Sequence, residues 1–191
     1  MKLVFATHNP NKFKEVKLLL PQHIELLSLT DIGCTEDIPE TADTIEGNAV
    51  LKVEHVRNRY NLDCFADDTG LEVSALNGDP GVYSARYAGE GKRANDNIDK
   101  LLKNLSGVED RSARFKTAIA MTINLESVMF LGVCDGTITK SRRGDKGFGY
   151  DPVFLPDGHN QTFAEMRLEQ KGKIGHRGKA LQQLIAYLTK S

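Results

Sequence analysis

Phe65-Ala66-Asp67-Asp68-Thr69-Gly70 is the stretch on which the reading of this chain turns. Leu62, Cys64, Phe65 and Ala66 form an apolar run of strand character, and two acidic residues stand where it stops. Adjacent carboxylates repel, so an ionised pair at a strand end calls for a cation or several donors to neutralise it. Magnesium suits such a pair, because it favours carboxylate and water oxygens and comes with substrate phosphates. The plainer alternative is a turn in which Asp68 or Thr69 caps the next element and Gly70 supplies a positive φ. Three other stretches suited to phosphates or bases weigh against that turn.

The first lies at the amino end. Lys2 to Ala6 reads as a strand, Thr7-His8-Asn9-Pro10-Asn11-Lys12 as a loop, and Phe13, Val16, Leu19 and Leu20 recur at helical spacing. The loop amides and the positive end of the helix offer a phosphate site, and Lys12 adds a full charge. Equally, Asn9 or Asn11 caps the helix. No G-x-x-x-x-G-K-[ST] loop occurs in the chain. Ile24 to Leu29 reads as a second strand, and Glu36-Asp37-Ile38-Pro39-Glu40 as an acidic loop. A helix then starts at Asp43, with Glu46 in capping-box register and Ile45, Ala49, Val53, Val56 and Tyr60 as its apolar stripe. Asn48, Lys52 and His55 line one edge of it, and Gly47 hints at close backbone approach.

Beyond the acidic pair, Leu71, Val73 and Ala75 alternate as a strand, and Asn77 to Gly81 is a turn. Ala88 to Asn97 reads as a polar loop, and Ile98, Leu101, Leu102 and Leu105 as a helix that Gly107 ends. Arg114 to Leu125 and Val128 to Val133 form a hairpin, with another strand beginning at Thr137. In Gly147-Phe148-Gly149-Tyr150-Asp151-Pro152, two glycines flank an aromatic face that suits a planar base, whose stacking is worth about 1–3 kcal/mol. The alternative is a glycine turn with Phe148 and Tyr150 in the core. Lys171, His176 and Arg177 precede or open a last helix, where cations oppose the macrodipole. Recognition of a ligand acceptor explains them there, and so does an exposed basic pair. The element order predicts an α/β protein with a mixed sheet.

A chain of 191 residues suits one domain, or two lobes sharing a sheet. With 40% hydrophobic and 27% charged residues and no apolar run near 18 residues, a soluble protein with no membrane partner is expected. Its amino terminus is too short and too soon interrupted for a signal peptide, which places it in the cytoplasm. Cys34, Cys64 and Cys134 lack a Cys-x-x-Cys pair and read as reduced, mostly buried thiols. A net charge of −1 gives no general attraction for nucleic acid.

Taken in order, Thr7-x-Asn9-x-x-Lys12, Pro39-Glu40, Asn48-Ala49-x-x-Lys52, Ala66 to Gly70, Pro80 to Tyr87, Gly147 to Pro152 and His176-Arg177 resemble the inosine triphosphate pyrophosphatase family. The match runs from Lys2 to about Leu188. That family cleaves non-standard purine nucleoside triphosphates (ITP, dITP, XTP) to the monophosphate and pyrophosphate. The resemblance implies one pyrophosphatase domain over 1–191, a long mixed sheet with two α/β lobes around a nucleotide cleft, a homodimer, and Mg2+ as cofactor. By position it implies that Thr7, His8, Asn9, Pro10, Asn11, Lys12 and Lys52 hold the triphosphate. The same resemblance implies that Glu40 and Asp68 hold the metal, that Asp68 accepts the proton, and that Thr69 touches substrate. It further implies that Phe148, Gly149, Tyr150, Asp151, Lys171, His176 and Arg177 hold base and sugar. His8, Gly47 and Gly175 depart from the residues common there.

Overall fold

A computed structural model describes residues 1–91 and 93–189. β1 (Lys2–Phe5), α1 (Pro10–Leu19) and β2 (Glu25–Ser28) follow the strand, loop, helix, strand reading. β1 and β2 pair in parallel, with Lys2 opposite Glu25 and Phe5 opposite Ser28. α2 (Ile45–Tyr60) is capped by Thr44 rather than Asp43, its Oγ1 accepting from Gly47 N at 3.0 Å. Gly47 has the close approach expected of it: a Cβ there would lie 2.6 Å from Ala42 Cβ.

The expectation that a strand stops at the acidic pair is overturned. β3 (Cys64–Val73) passes straight through Asp67, Asp68, Thr69 and Gly70, so neither the strand-end nor the turn reading holds. A buried strand tolerates adjacent carboxylates when each has its own cation, and these do (below). Ala75 falls outside β3, in a 3-10 turn over Ser74–Leu76. Asn77 and Gly78 follow with positive φ of 54° and 92°, and β4 (Pro80–Gly81) returns antiparallel to β3. α3 (Ala94–Asn104) begins inside the stretch expected to be loop, of which Lys92 lies outside the described residues. β5 (Ser112–Ile123) and β6 (Glu126–Ile138) form the hairpin, and Thr137 closes β6 rather than opening a new strand. β7 (Phe154–Pro156) runs antiparallel to β6. α4 (Leu168–Ile174) has no counterpart in the sequence reading, and α5 (His176–Leu188) starts at His176.

The sheet order is β2-β1-β3-β5-β6-β7, with β4 on β3. Its β2-β1-β3 side is parallel and its β3-β4 and β6-β7 pairings antiparallel, the mixed α/β sheet expected. The chain divides into two compact units, one of 1–68, 117–132 and the segment from Arg177, the other of 69–116 and 133–176. The first is built on Leu3, Phe5, Val16, Phe65, Ile119 and Leu181, with the Phe5 and Phe65 rings stacked at 4.6 Å. The second is built on Leu71, Ile98, Leu101, Phe115, Phe154 and Phe163. β3 serves both cores, and each fully buried side chain of this size is worth about 1.5–3 kcal/mol. Among the described residues no helix is long and apolar enough to cross a membrane.

Candidate active site

Successive side chains of a strand point to opposite faces, and β3 uses this to give its two aspartates different partners. Asp67, 1% exposed, meets Lys12 Nζ at 2.9 Å through Oδ1 and accepts from Arg177 Nε at 2.8 Å through Oδ2. The Lys12 contact is ionic and lies off the hydrogen-bonding direction. Arg177 Nη1 continues to Glu15 Oε2 at 2.5 Å. Asp68 takes Lys52 Nζ at 3.2 Å on Oδ1 and Asn48 Nδ2 at 3.3 Å on Oδ2. Asn48 and Lys52, four apart on α2, share a face, and Asn48 Oδ1 in turn accepts from Ala42 N at 2.9 Å. Lys52 Nζ also reaches Glu40 Oε1 at 2.7 Å and the Asp67 carbonyl at 2.9 Å.

These contacts set the charges. Burial pushes the Asp67 carboxyl up, but Lys12, Arg177 and Lys52 outweigh it and hold its pKa well below the usual range. For Asp68 burial wins: despite Lys52 and Lys12, its pKa is raised, with Glu40 and Asp67 adding to the rise. Burial lowers Lys52, yet Asp68, Glu40 and Asp67 reverse that and keep it a firm cation. Lys12 is lowered, by burial first and by Lys52 and Arg177 next, against the pull of Asp67.

The same geometry tests whether a divalent metal fits. Glu40 Oε1 and Asp68 Oδ1 converge on one ammonium, so two hard oxygen donors already share a cation position. Magnesium binds through such carboxylates together with substrate phosphates. The raised Asp68 points the same way, since its ionised form has room for further stabilisation by positive charge. In the neighbouring loop, Thr7 Oγ1 accepts from Asn9 N at 3.1 Å, and Asn9 Oδ1 accepts from Asn11 N and Lys12 N at 2.9 and 3.2 Å. Asn9 is therefore the helix cap, with Pro10 opening α1, and exposed His8 places Nε2 2.9 Å from the Glu36 carbonyl.

In the second unit, Asp151 Oδ2 accepts from Phe148 N at 2.9 Å and from Lys171 Nζ at 2.6 Å. That ammonium lies 4.8 Å above the half-buried Phe148 ring. His176 stacks on Phe115 at 4.6 Å. Tyr150 belongs to the core, its hydroxyl donating to the Ser84 carbonyl at 2.8 Å, so of the two aromatics only Phe148 is half open. His176 and Arg177 are each 3% exposed, which removes the exposed-pair reading. Thr69 and Gly149 lie half-buried on β3 and in the Phe148 loop. Sequence reasoning gave no role to Glu15, which looks like any solvated helix glutamate. It also missed Asn48 as a donor to Asp68, although the Asn48-Lys52-His55 line carried the signal.

Gly147 is required twice over: its φ is +74°, and a Cβ would stand 2.1 Å from Asp151 Oδ2. Gly147→Ala is expected to cost about 1–3 kcal/mol in urea unfolding. Gly149→Ala, at φ +61° but with open space around it, is expected to cost less.

The α/β fold that carries this cluster matches that of solved Ham1 proteins. The Staphylococcus aureus Ham1 protein superposes with a TM-score of 0.90 at 40% identity, covering 100% of this chain and 99% of that one. A Coxiella burnetii HAM1 protein gives 0.90 at 38%, covering 100% of both. The Ham1 family profile matches residues 3–187, and the chain belongs to that family. A dITP/XTP pyrophosphatase of Christiangramia forsetii is 60% identical over 190 residues, covering 100% of both chains. One from Flavobacterium johnsoniae is 59% identical over 189 residues, covering 99% of this chain and 98% of its own.

Proposed function

We propose that this protein hydrolyses non-standard purine nucleoside triphosphates, ITP, dITP and XTP, to the monophosphate and pyrophosphate, with Mg2+ as cofactor. The observation that carries the reading is the Glu40, Lys52 and Asp68 constellation, in a chain whose relatives are named dITP/XTP pyrophosphatases.

Glu40 and Asp68 would hold the metal, which when bound neutralises phosphate oxygens. Asp68 accepts the proton of the water that attacks the α-phosphorus, a task for which a carboxyl raised by burial is better matched than an ordinary one. Lys52 stays protonated and sets positive charge against the triphosphate. Lys12 approaches from the first turn of α1, where its pairing with Asp67 opposes the lowering of its pKa by burial. Arg177 spends Nε on Asp67 and Nη1 on Glu15, so its part is to position Asp67. Phe148 offers a face to the purine, and Asp151 fixes that loop through the Phe148 amide.

Hydrolysis of ITP in ¹⁸O-water, with magnesium present, should yield IMP carrying the label and pyrophosphate, with no IDP. Stepwise IDP and orthophosphate would identify a phosphatase instead. The base order should follow hydrogen-bond chemistry. Hypoxanthine and xanthine present an acceptor, O6, where adenine presents an amino donor. Donation to O6 from His176 or backbone amides sets donor against donor for ATP. ATP is expected to fall at least about 10²-fold below ITP in kcat/KM. GTP should lie between, because guanine keeps O6 and is distinguished only by its amino group at C2. Comparable kcat/KM for ATP and ITP would sink the base assignment.

A further inference from the structure

The first unit holds a second set of donors that this reaction does not use. Cys34 Sγ, a Glu36 carboxylate oxygen and His55 Nε2 all lie within 4.8 Å of one another. His55 Nε2 is 3.9 Å from Cys34 Sγ and 3.2 Å from Glu36 Oε1. A tetrahedral ion with bonds of about 2.3 Å to sulfur and about 2.0–2.2 Å to nitrogen and oxygen spaces its ligand atoms at roughly 3.3–3.6 Å. The two separations from His55 lie on either side of that range, and the third pair, within 4.8 Å, can be closed by the half-exposed Glu36 side chain. No Cys-x-x-Cys announces the group in the sequence; it is assembled through space, from the segment after β2 and from α2.

The surroundings are those of a supported ligand set. Arg59 Nη1 lies 3.0 Å from Glu36 Oε1, and the Tyr60 hydroxyl 3.4 Å from the same oxygen. Metal-binding side chains are oriented by such outer contacts. Arg59 is largely exposed and free to swing aside if Glu36 turns toward an ion.

We propose that Cys34, Glu36 and His55 bind a divalent ion of the zinc class, at a site distinct from the carboxylates of Glu40 and Asp68. Sulfur and imidazole select such an ion over magnesium, which prefers oxygen alone. Binding forms bonds to Cys34 Sγ, His55 Nε2 and one Glu36 oxygen, sends the thiol proton to solvent and changes no oxidation state. The fourth position is left to water. The site would brace two working segments. Glu36 precedes Glu40 by four residues and its carbonyl meets His8 of the Thr7 to Lys12 loop, while His55 follows Lys52 on α2.

The test is titration of the reduced, untagged full-length protein with Co2+, in excess magnesium that keeps the oxygen ligands occupied. One equivalent should produce a sulfur-to-cobalt charge-transfer band and the intense visible bands of a tetrahedral ion, both bleached by Zn2+. Affinity should fall at least about 10-fold in His55→Ala and in Glu36→Gln, and the charge-transfer band should vanish in Cys34→Ser. Zn2+ should raise the thermal midpoint of the wild type and not that of His55→Ala. Cys34 is fully buried, so if Cys34→Ser fails to fold, the half-exposed His55 and Glu36 positions decide. Absence of the band overturns the site, as does Co2+ affinity unchanged in both His55→Ala and Glu36→Gln.

Discussion

Asp68→Asn is expected to lower kcat for ITP on the order of 10³–10⁴-fold while the fold and much of the nucleotide affinity survive. Asparagine keeps the shape of the side chain. Lys52 keeps Glu40 Oε1 at 2.7 Å and the Asp67 carbonyl at 2.9 Å, so it is not released when the Asp68 charge goes. What is lost is the proposed proton acceptor and one of the two carboxylates that would hold the metal. General-base removal alone accounts for about 10²–10⁴-fold, and the loss belongs in kcat because the interaction is made in the transition state. Glu40→Gln should have a smaller effect, since it leaves the acceptor in place. Steady-state kinetics at saturating magnesium and ITP make the measurement. A kcat near wild type for Asp68→Asn would remove Asp68 from the chemistry.

Local patterns were legible where their causes are local. The α1 cap at Asn9, the mixed sheet and the α2 face carrying Asn48 and Lys52 follow from spacing and side-chain chemistry within a few residues. β3 was misread for the opposite reason. Whether a strand survives an Asp-Asp pair depends on its cations, and Arg177 stands 110 residues from Asp67. Without that partner in view, charge repulsion argued for ending the strand. Glu15 was illegible on the same ground, being 162 residues from the Arg177 it meets. α4 was hidden because its Lys-Gly-Lys core reads as loop, and the partner that lets Lys171 be buried there is Asp151, supplied from elsewhere in the second unit. The role of Glu40 entered by resemblance alone, whereas for Asp68 and Phe148 the sequence pattern itself offered a metal and a planar base, each beside an ordinary alternative.

Arg177→Ala should produce the largest loss of stability, about 3–5 kcal/mol in urea unfolding at neutral pH. The guanidinium is buried between Asp67 and Glu15, and burial alone would lower its pKa, yet those two carboxylates raise it. Truncation leaves both carboxylates in place, with Lys12 and Lys52 the remaining cations acting on Asp67. The deficit should depend on pH with a definite sign. The folded pKa of Asp67 lies below its ordinary 3.8, so its stabilisation is present above that value and fades as pH falls toward the folded one. Loss of Arg177 brings the folded pKa back up and removes part of that stabilisation, which the wild type itself forfeits in acid. The gap between wild type and variant should therefore narrow from pH 7 to about pH 3. Arg177→Lys should fall between them, because one ammonium keeps the charge but cannot present Nε to Asp67 and Nη1 to Glu15. Turnover should drop in the same order, since Asp67 is what orients Lys12. A deficit below about 1 kcal/mol, or one that stays constant with pH, would mean that Asp67 keeps its charge without Arg177, and would withdraw the positioning role assigned to it.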